Sequence, residues 1–452
     1  MGIATISSQM SLSTFRCQKF IMRKSIKSWL PLIVVSGWSA LQGQVTAGVN
    51  YEELPIRYSA TREVNSITRL QTRITNGEVK LAFEQPQGYL KSLLHELSIP
   101  VSSQALVFSK TSLQAEKISP KTPRAIFFND EVHVAYVQGG SLEIAAADPQ
   151  LGMVFYTLDQ TEDEQPVMER QNNRCLNCHG AARTRNVPGL LVRSVFPDPR
   201  GQPVIAAGSF VSTHASPLEK RWGGWYVTGT HGDQQHLGNF TLPDARKPKL
   251  IENPAGQNQT DLSGHFDTMG YLSPHSDIVA LMVLEHQTDG YTRFTQANFE
   301  SRHALFARDQ AGAPGTAAFQ NAETEAFRRI DTAAETVSRF LLFDDEAKLT
   351  APITGTSSFA REFTNRGQRD GGQPSLRELD LQTRMFKYPC SYLIQSPAFR
   401  GLPDELRAAV YRRLIAALAR DSTLASIQRF SPTERKMLLE ILSTTVPDWP
   451  KS

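Results

Sequence analysis

The chain has 452 residues, 40% of them hydrophobic and 21% charged. That composition excludes disordered, collagen-like and disulfide-scaffold classes and leaves room for two or three folded domains. The formal charge of +3 resides in the first 47 residues, which hold five basic residues and no acid, so the remainder stands at −2. No basic tract remains there for nucleic acid.

The N-terminus has its own pattern. Arg16, Lys19, Arg23, Lys24 and Lys27 precede an apolar run from Trp29 to Leu41, and Val45 and Ala47 follow at signal-peptidase spacing. Residues 1–47 therefore read as a secretory signal peptide, with Met22 an alternative start because the charged leader is long. The apolar run is short for a membrane span, and an uncleaved leader is the only membrane attachment expected. Beyond it lie three cysteines, Cys175, Cys178 and Cys390. An exported chain normally pairs its cysteines, but an odd number leaves one unpaired.

In chain order, Leu90, Leu93, Leu94 and Leu97 fall on one face and predict a short helix, with His95 off that face in solvent. From Ala125 to Leu158, alternating apolar runs broken at Gly139-Gly140 and at Asp148–Gly152 predict a β-meander. In it His133 faces away from Val132 and Val134 in a structural role. A polar stretch leads to the cysteine pair. Two runs around Pro197–Gly201 then predict a hairpin, and Trp222–Gly229 a further strand. Residues 242–264 are rich in Pro, Asn and Gly and read as a linker or long loop. Ser273 and Pro274 predict a helix start, and helical patterns continue through Ala317–Phe343 to a capping box at Ser431, Pro432 and Glu434. Met282 and His286 share a helical face there and are further candidate metal ligands, though Ile278, Leu281 and Met282 more simply make that helix's core stripe. The expected class is α+β, with a β-rich region at 48–241 containing the cysteine pair and a helical region at 265–452.

The stretch from Arg174 to Gly180 reads RCLNCHG, a C-x-x-C-H motif in a chain with four cysteines. Two thiols three residues apart on one turn can reach two vinyl groups on one side of a porphyrin, and the following imidazole can reach the metal. The same residues admit other readings. A zinc site needs further ligands, a thioredoxin-like pair needs a strand-to-helix context, and the two thiols can form a plain disulfide.

Cys175, Leu176, Asn177, Cys178 and His179 resemble the haem attachment site of c-type cytochromes. More loosely, the chain resembles a bacterial monohaem cytochrome c-like family. The resemblance implies one covalent haem c, thioethers at Cys175 and Cys178, and His179 as proximal iron ligand. Strands expected on both sides of the motif depart from the small all-α cytochrome c fold. Candidates for a distal iron ligand are His231, flanked by Gly229 and Gly232, or His214, with His236 nearby and Met269 a weaker option. Arg174, Arg183, Arg185 and Arg193 surround the motif and are candidates to pair with haem carboxylates.

The function expected is electron transfer by an exported or periplasmic monohaem protein with a redox partner protein. The alternatives are a haem c oxidoreductase or a ligand sensor with an open distal position, and a non-haem binding protein with a Cys175–Cys178 disulfide.

Overall fold

The structure is a computed structural model that describes residues 50–244, 253–367, 374–419 and 430–450. The leader at 1–47 and part of the expected linker, residues 245–252, lie outside the described residues. Gly48–Ser452 forms one compact unit, and its sheet and helices share a single hydrophobic core.

The architecture is mixed α+β with antiparallel sheets. The meander is a six-stranded sheet in sequential order: β1 (Ala105–Val107), β2 (Arg124–Phe128), β3 (Val132–Tyr136), β4 (Leu142–Asp148), β5 (Gly152–Leu158) and β6 (Glu169–Arg170). Gly139 turns the chain between β3 and β4 at φ +66°, a conformation that glycine adopts without steric cost. Register assigns the two faces. Leu106, Ala125, Phe127, Val134, Ile144 and Tyr156 lie on one face and are fully or almost fully buried. The helix α1 (Ser66–Thr75) docks there, and Asn65 at its cap donates to the Tyr156 hydroxyl at 2.8 Å. The expected leucine helix is α2 (Leu90–Glu96), with Leu90, Leu93 and Leu94 buried.

The opposite face carries Arg124, Ile126, Ala135, Glu143 and Thr157 at one end and Phe128, His133, Ala145 and Phe155 at the other. A short helix, α3 (Asn173–His179), follows β6. The long helix α4 (Ile278–Gln310) covers only the second end, where Tyr291 meets His133 edge-on. α4 is buried around most of its girth because α5 (Ala317–Leu341) packs along its other side. Gly290 admits that contact, since a Cβ there would stand 2.5 Å from Leu393 and 2.8 Å from Phe340.

The expected start of α4 at Ser273 is displaced. Asp277 is the N-cap and accepts from Val279 and Ala280, while the carbonyls of Ser273 and His275 are held by the Gln104 amide. Two two-stranded pieces flank the main sheet: β7 (Val192–Val195) with β8 (Ser209–Ser212), and β9 (Gly229–Thr230) with β10 (Thr354–Gly355). Within the Trp222–Gly229 segment, Trp225 makes an isolated bridge to Val107. The last helices are α6 (Phe359–Asn365), α7 (Pro397–Arg400), α8 (Asp404–Leu418) and α9 (Pro432–Thr445), the last opened by the expected capping box. Among the described residues no helix is long and apolar enough to cross a membrane.

Candidate functional site

The C-x-x-C-H residues form most of α3. In a helix, positions i, i+3 and i+4 share a face, so Cys175, Cys178 and His179 make one stripe. Leu176 is buried in the core and ties the helix down, while Cys175 is half-buried and Cys178 exposed. Both are free thiols, as is buried Cys390. Burial and the nearby Glu143 push the Cys175 thiol up to about 11, so it is uncharged at neutral pH. The Cys390 thiol, fully buried, is pushed to about 12, as suits a core residue.

His179 is positioned by the segment that follows it. Its Nδ1 donates to the Gly189 carbonyl at 2.9 Å, and the Gly189 amide donates back to the His179 carbonyl at 2.8 Å. The Nδ1 bond fixes the tautomer, and Nε2 makes no hydrogen bond. The ring packs at 4.9 Å on Phe155, on the sheet face that α4 leaves partly uncovered. Burial lowers the imidazole pKa, and the Gly189 carbonyl acts in the opposite sense. Gly189 is pressed onto α4: a Cβ there would lie 2.5 Å from Thr292 Oγ1, which itself donates to the Leu190 carbonyl.

Beside this stripe the uncovered half of the sheet is half-buried rather than sealed. Its floor is Ile126 and Ala135 with the ion pair Arg124–Glu143 at 2.8 Å. Ser112 and Gln114 also donate to Glu143, and between them Leu113 is left exposed. Arg124 Nε is buried without a partner. Free thiols and an imidazole with one open nitrogen, above a floor of Ile126, Ala135 and one ion pair, form a donor set that fits a covalently held porphyrin. Such a group supplies four metal ligands itself and asks one or two of the protein. A structural zinc ion asks four, and among the described residues no group of three or more His, Cys, Asp or Glu side chains converges to hold a metal.

The structure does not bring the candidate distal ligands to His179. His231 is buried beside β9, with Nε2 accepting from the Asn258 amide at 3.1 Å. Three residues earlier, Thr228 bridges to Asp277 at the start of α4. Gly189 abuts Thr292, 15 residues further along that helix by subtraction, or roughly 22 Å at 1.5 Å per residue. Two nitrogens that bind one metal ion stand no more than about 4 Å apart at ordinary metal–nitrogen lengths of roughly 2 Å. His214 is also committed: Nε2 donates to Asp345 at 3.3 Å, and Nδ1 meets His286 Nδ1 at 3.0 Å. The other His286 nitrogen accepts from Ser391 at 2.7 Å, so both of its nitrogens are engaged, and Met282 lies buried in the core. His236 is buried with Nδ1 accepting from Gly238. Met269 is exposed in the turn before Tyr271, whose ring meets Tyr136 on the other sheet face.

Of the arginines, Arg185 faces Asp289 at 4.0 Å and Arg193 donates to Ser209. Arg174 and Arg183 are exposed. Burial, with added repulsion from Arg183, lowers the Arg193 pKa. Gly189 and the Arg124–Glu143 pair escaped sequence reading. A carbonyl leaves no mark in sequence, and the pair stands 19 residues apart.

No family model, curated protein or solved structure matches the chain.

Proposed function

We propose that this protein is an exported monohaem c-type cytochrome that moves electrons between redox partner proteins. The observation that carries the reading is the α3 stripe: two free thiols and an imidazole anchored through Nδ1 to Gly189, leaving Nε2 open. Cys175 and Cys178 would hold haem c as thioethers and His179 would be its proximal ligand. The bound group would supply a one-electron couple. The chain's own residues orient the imidazole, cover one flank with Phe155 and leave a charged pair, Arg124–Glu143, at the floor. The motif lies between β6 and β7.

One observation favours a second reading, a haem oxidoreductase or ligand sensor with an open distal position. His214 has both ring nitrogens engaged, and His231 lies near the start of α4, away from Thr292 and Gly189. Carbon monoxide titration of the reduced protein separates the two. A low-spin spectrum unchanged by carbon monoxide supports the carrier; a high-spin ferrous spectrum that shifts on adding it supports the enzyme or sensor.

A further inference from the structure

A second polar cluster lies in the core behind the motif. Glu285 on α4 is completely buried, and its Oε2 accepts from Arg221, itself 3% exposed, at 3.1 Å. Glu285 Oε1 has no hydrogen-bond partner. The Ser212 hydroxyl and the Trp222 indole N–H face the same carboxylate without a direct bond, and both are buried. Three buried polar atoms without a direct partner thus lie around one carboxylate. Protonation at Oε1 leaves the Arg221 hydrogen bond to Oε2 in place while the carboxyl itself becomes neutral.

We propose that Glu285 is a proton-loading group: it takes up one proton from solvent when one electron, from a one-electron donor, arrives at the site held by His179, and releases the proton on reoxidation. This rests on the haem reading above. Two paths place the carboxylate near that site. Along α4, Glu285 precedes Thr292, against which Gly189 is pressed, by seven residues, or roughly 10 Å. Along the hairpin, Ser212 pairs with Val192, three residues from Gly189. At a separation on the order of 10 Å and an effective dielectric of about 20, one unit of charge moves a pKa by about one unit. Reduction removes positive charge from the site, so the carboxyl holds its proton more tightly in the reduced protein.

Burial pushes the Glu285 pKa up to about 7, with Arg221, Ser212 and Trp222 pulling it back. The other charged and titratable groups nearby are His214, whose carbonyl accepts from Arg221, and His286, next to Glu285 on α4. Arg293, Asp289, Asp345 and Arg185 continue the cluster toward the motif loop.

The test is the midpoint potential of the haem-loaded protein between pH 6 and 9. The expected result is a fall with rising pH totalling about 59 mV, the one-electron equivalent of a tenfold change. Glu285→Gln abolishes the fall. If that variant does not fold, Ser212→Ala removes a hydroxyl that faces the carboxylate and holds its pKa down, and so moves the sloping region to higher pH. A flat wild-type profile overturns the assignment, as does an unchanged slope in Glu285→Gln or an unmoved region in Ser212→Ala. A protein without covalent haem gives no band on a haem-stained denaturing gel, and that result overturns the haem reading itself.

Discussion

His133 offers a sharp test of the packing beneath the site. It lies on the same sheet face as Phe155, two strands away, and is 6% exposed. Both ring nitrogens are buried without partners, between Phe128 stacked at 5.9 Å and Tyr291 edge-on at 6.3 Å. Burial depresses its pKa to about 3. Since the folded pKa lies below the ordinary value of about 6.5, the unfolded chain binds the proton first. Stability is therefore lost as pH falls below about 6.5 and levels off only near the folded value. From pH 7 to pH 5 the loss from this residue is about 2 kcal/mol, 1.5 pH units at 1.36 kcal/mol each. His133→Leu removes both the titration and two unpaired polar atoms, so its stability at pH 7 stays within about 1 kcal/mol of wild type or exceeds it. The assay is equilibrium urea unfolding of both proteins at pH 7 and pH 5. The variant should lose about 2 kcal/mol less than wild type over that interval. Equal losses, or a variant several kcal/mol weaker at pH 7, refute the apolar setting of the ring.

Other outcomes follow from the same contacts. Cys175→Ala or Cys178→Ala should reduce covalent haem attachment, measured by haem stain against total protein. His179→Ala should change the iron spin state more than the adduct yield, and an unchanged absorption spectrum contradicts its ligand role. Gly189→Ala drives a Cβ to 2.5 Å from Thr292 Oγ1, so it should loosen the His179 anchor and destabilise by about 1–3 kcal/mol, read by urea unfolding. Arg221→Met strands buried Glu285 and should cost about 3–5 kcal/mol at pH 8, and less at pH 6, where the carboxyl is protonated.

Where side-chain period and turn chemistry act locally, the sequence was legible. The meander follows from alternation with glycine turns, α2 from its leucine spacing, and the start of α9 from the Ser431–Glu434 box. The motif was legible because its three residues are close in sequence and share a helical face. What escaped depends on distant chain. Ser273 and Pro274 mimic a helix start, but Gln104 claims that loop and Asp277 caps instead. Glycines beside His231 suggested approach to a flat group; they serve instead a tight passage, with a Cβ on Gly229 standing 2.4 Å from Ile278. Glu285 left a readable sign, an acid inside the apolar run that opens α4, though its partner Arg221 lies 64 residues away.

The central claim is that Cys175 and Cys178 carry haem. The most direct measurement is a haem-stained denaturing gel of protein made in cells competent for cytochrome maturation, with a Cys175→Ala, Cys178→Ala double variant alongside. The expected result is a stained band at the chain's mass that vanishes in the double variant. A colourless wild-type band would contradict the account.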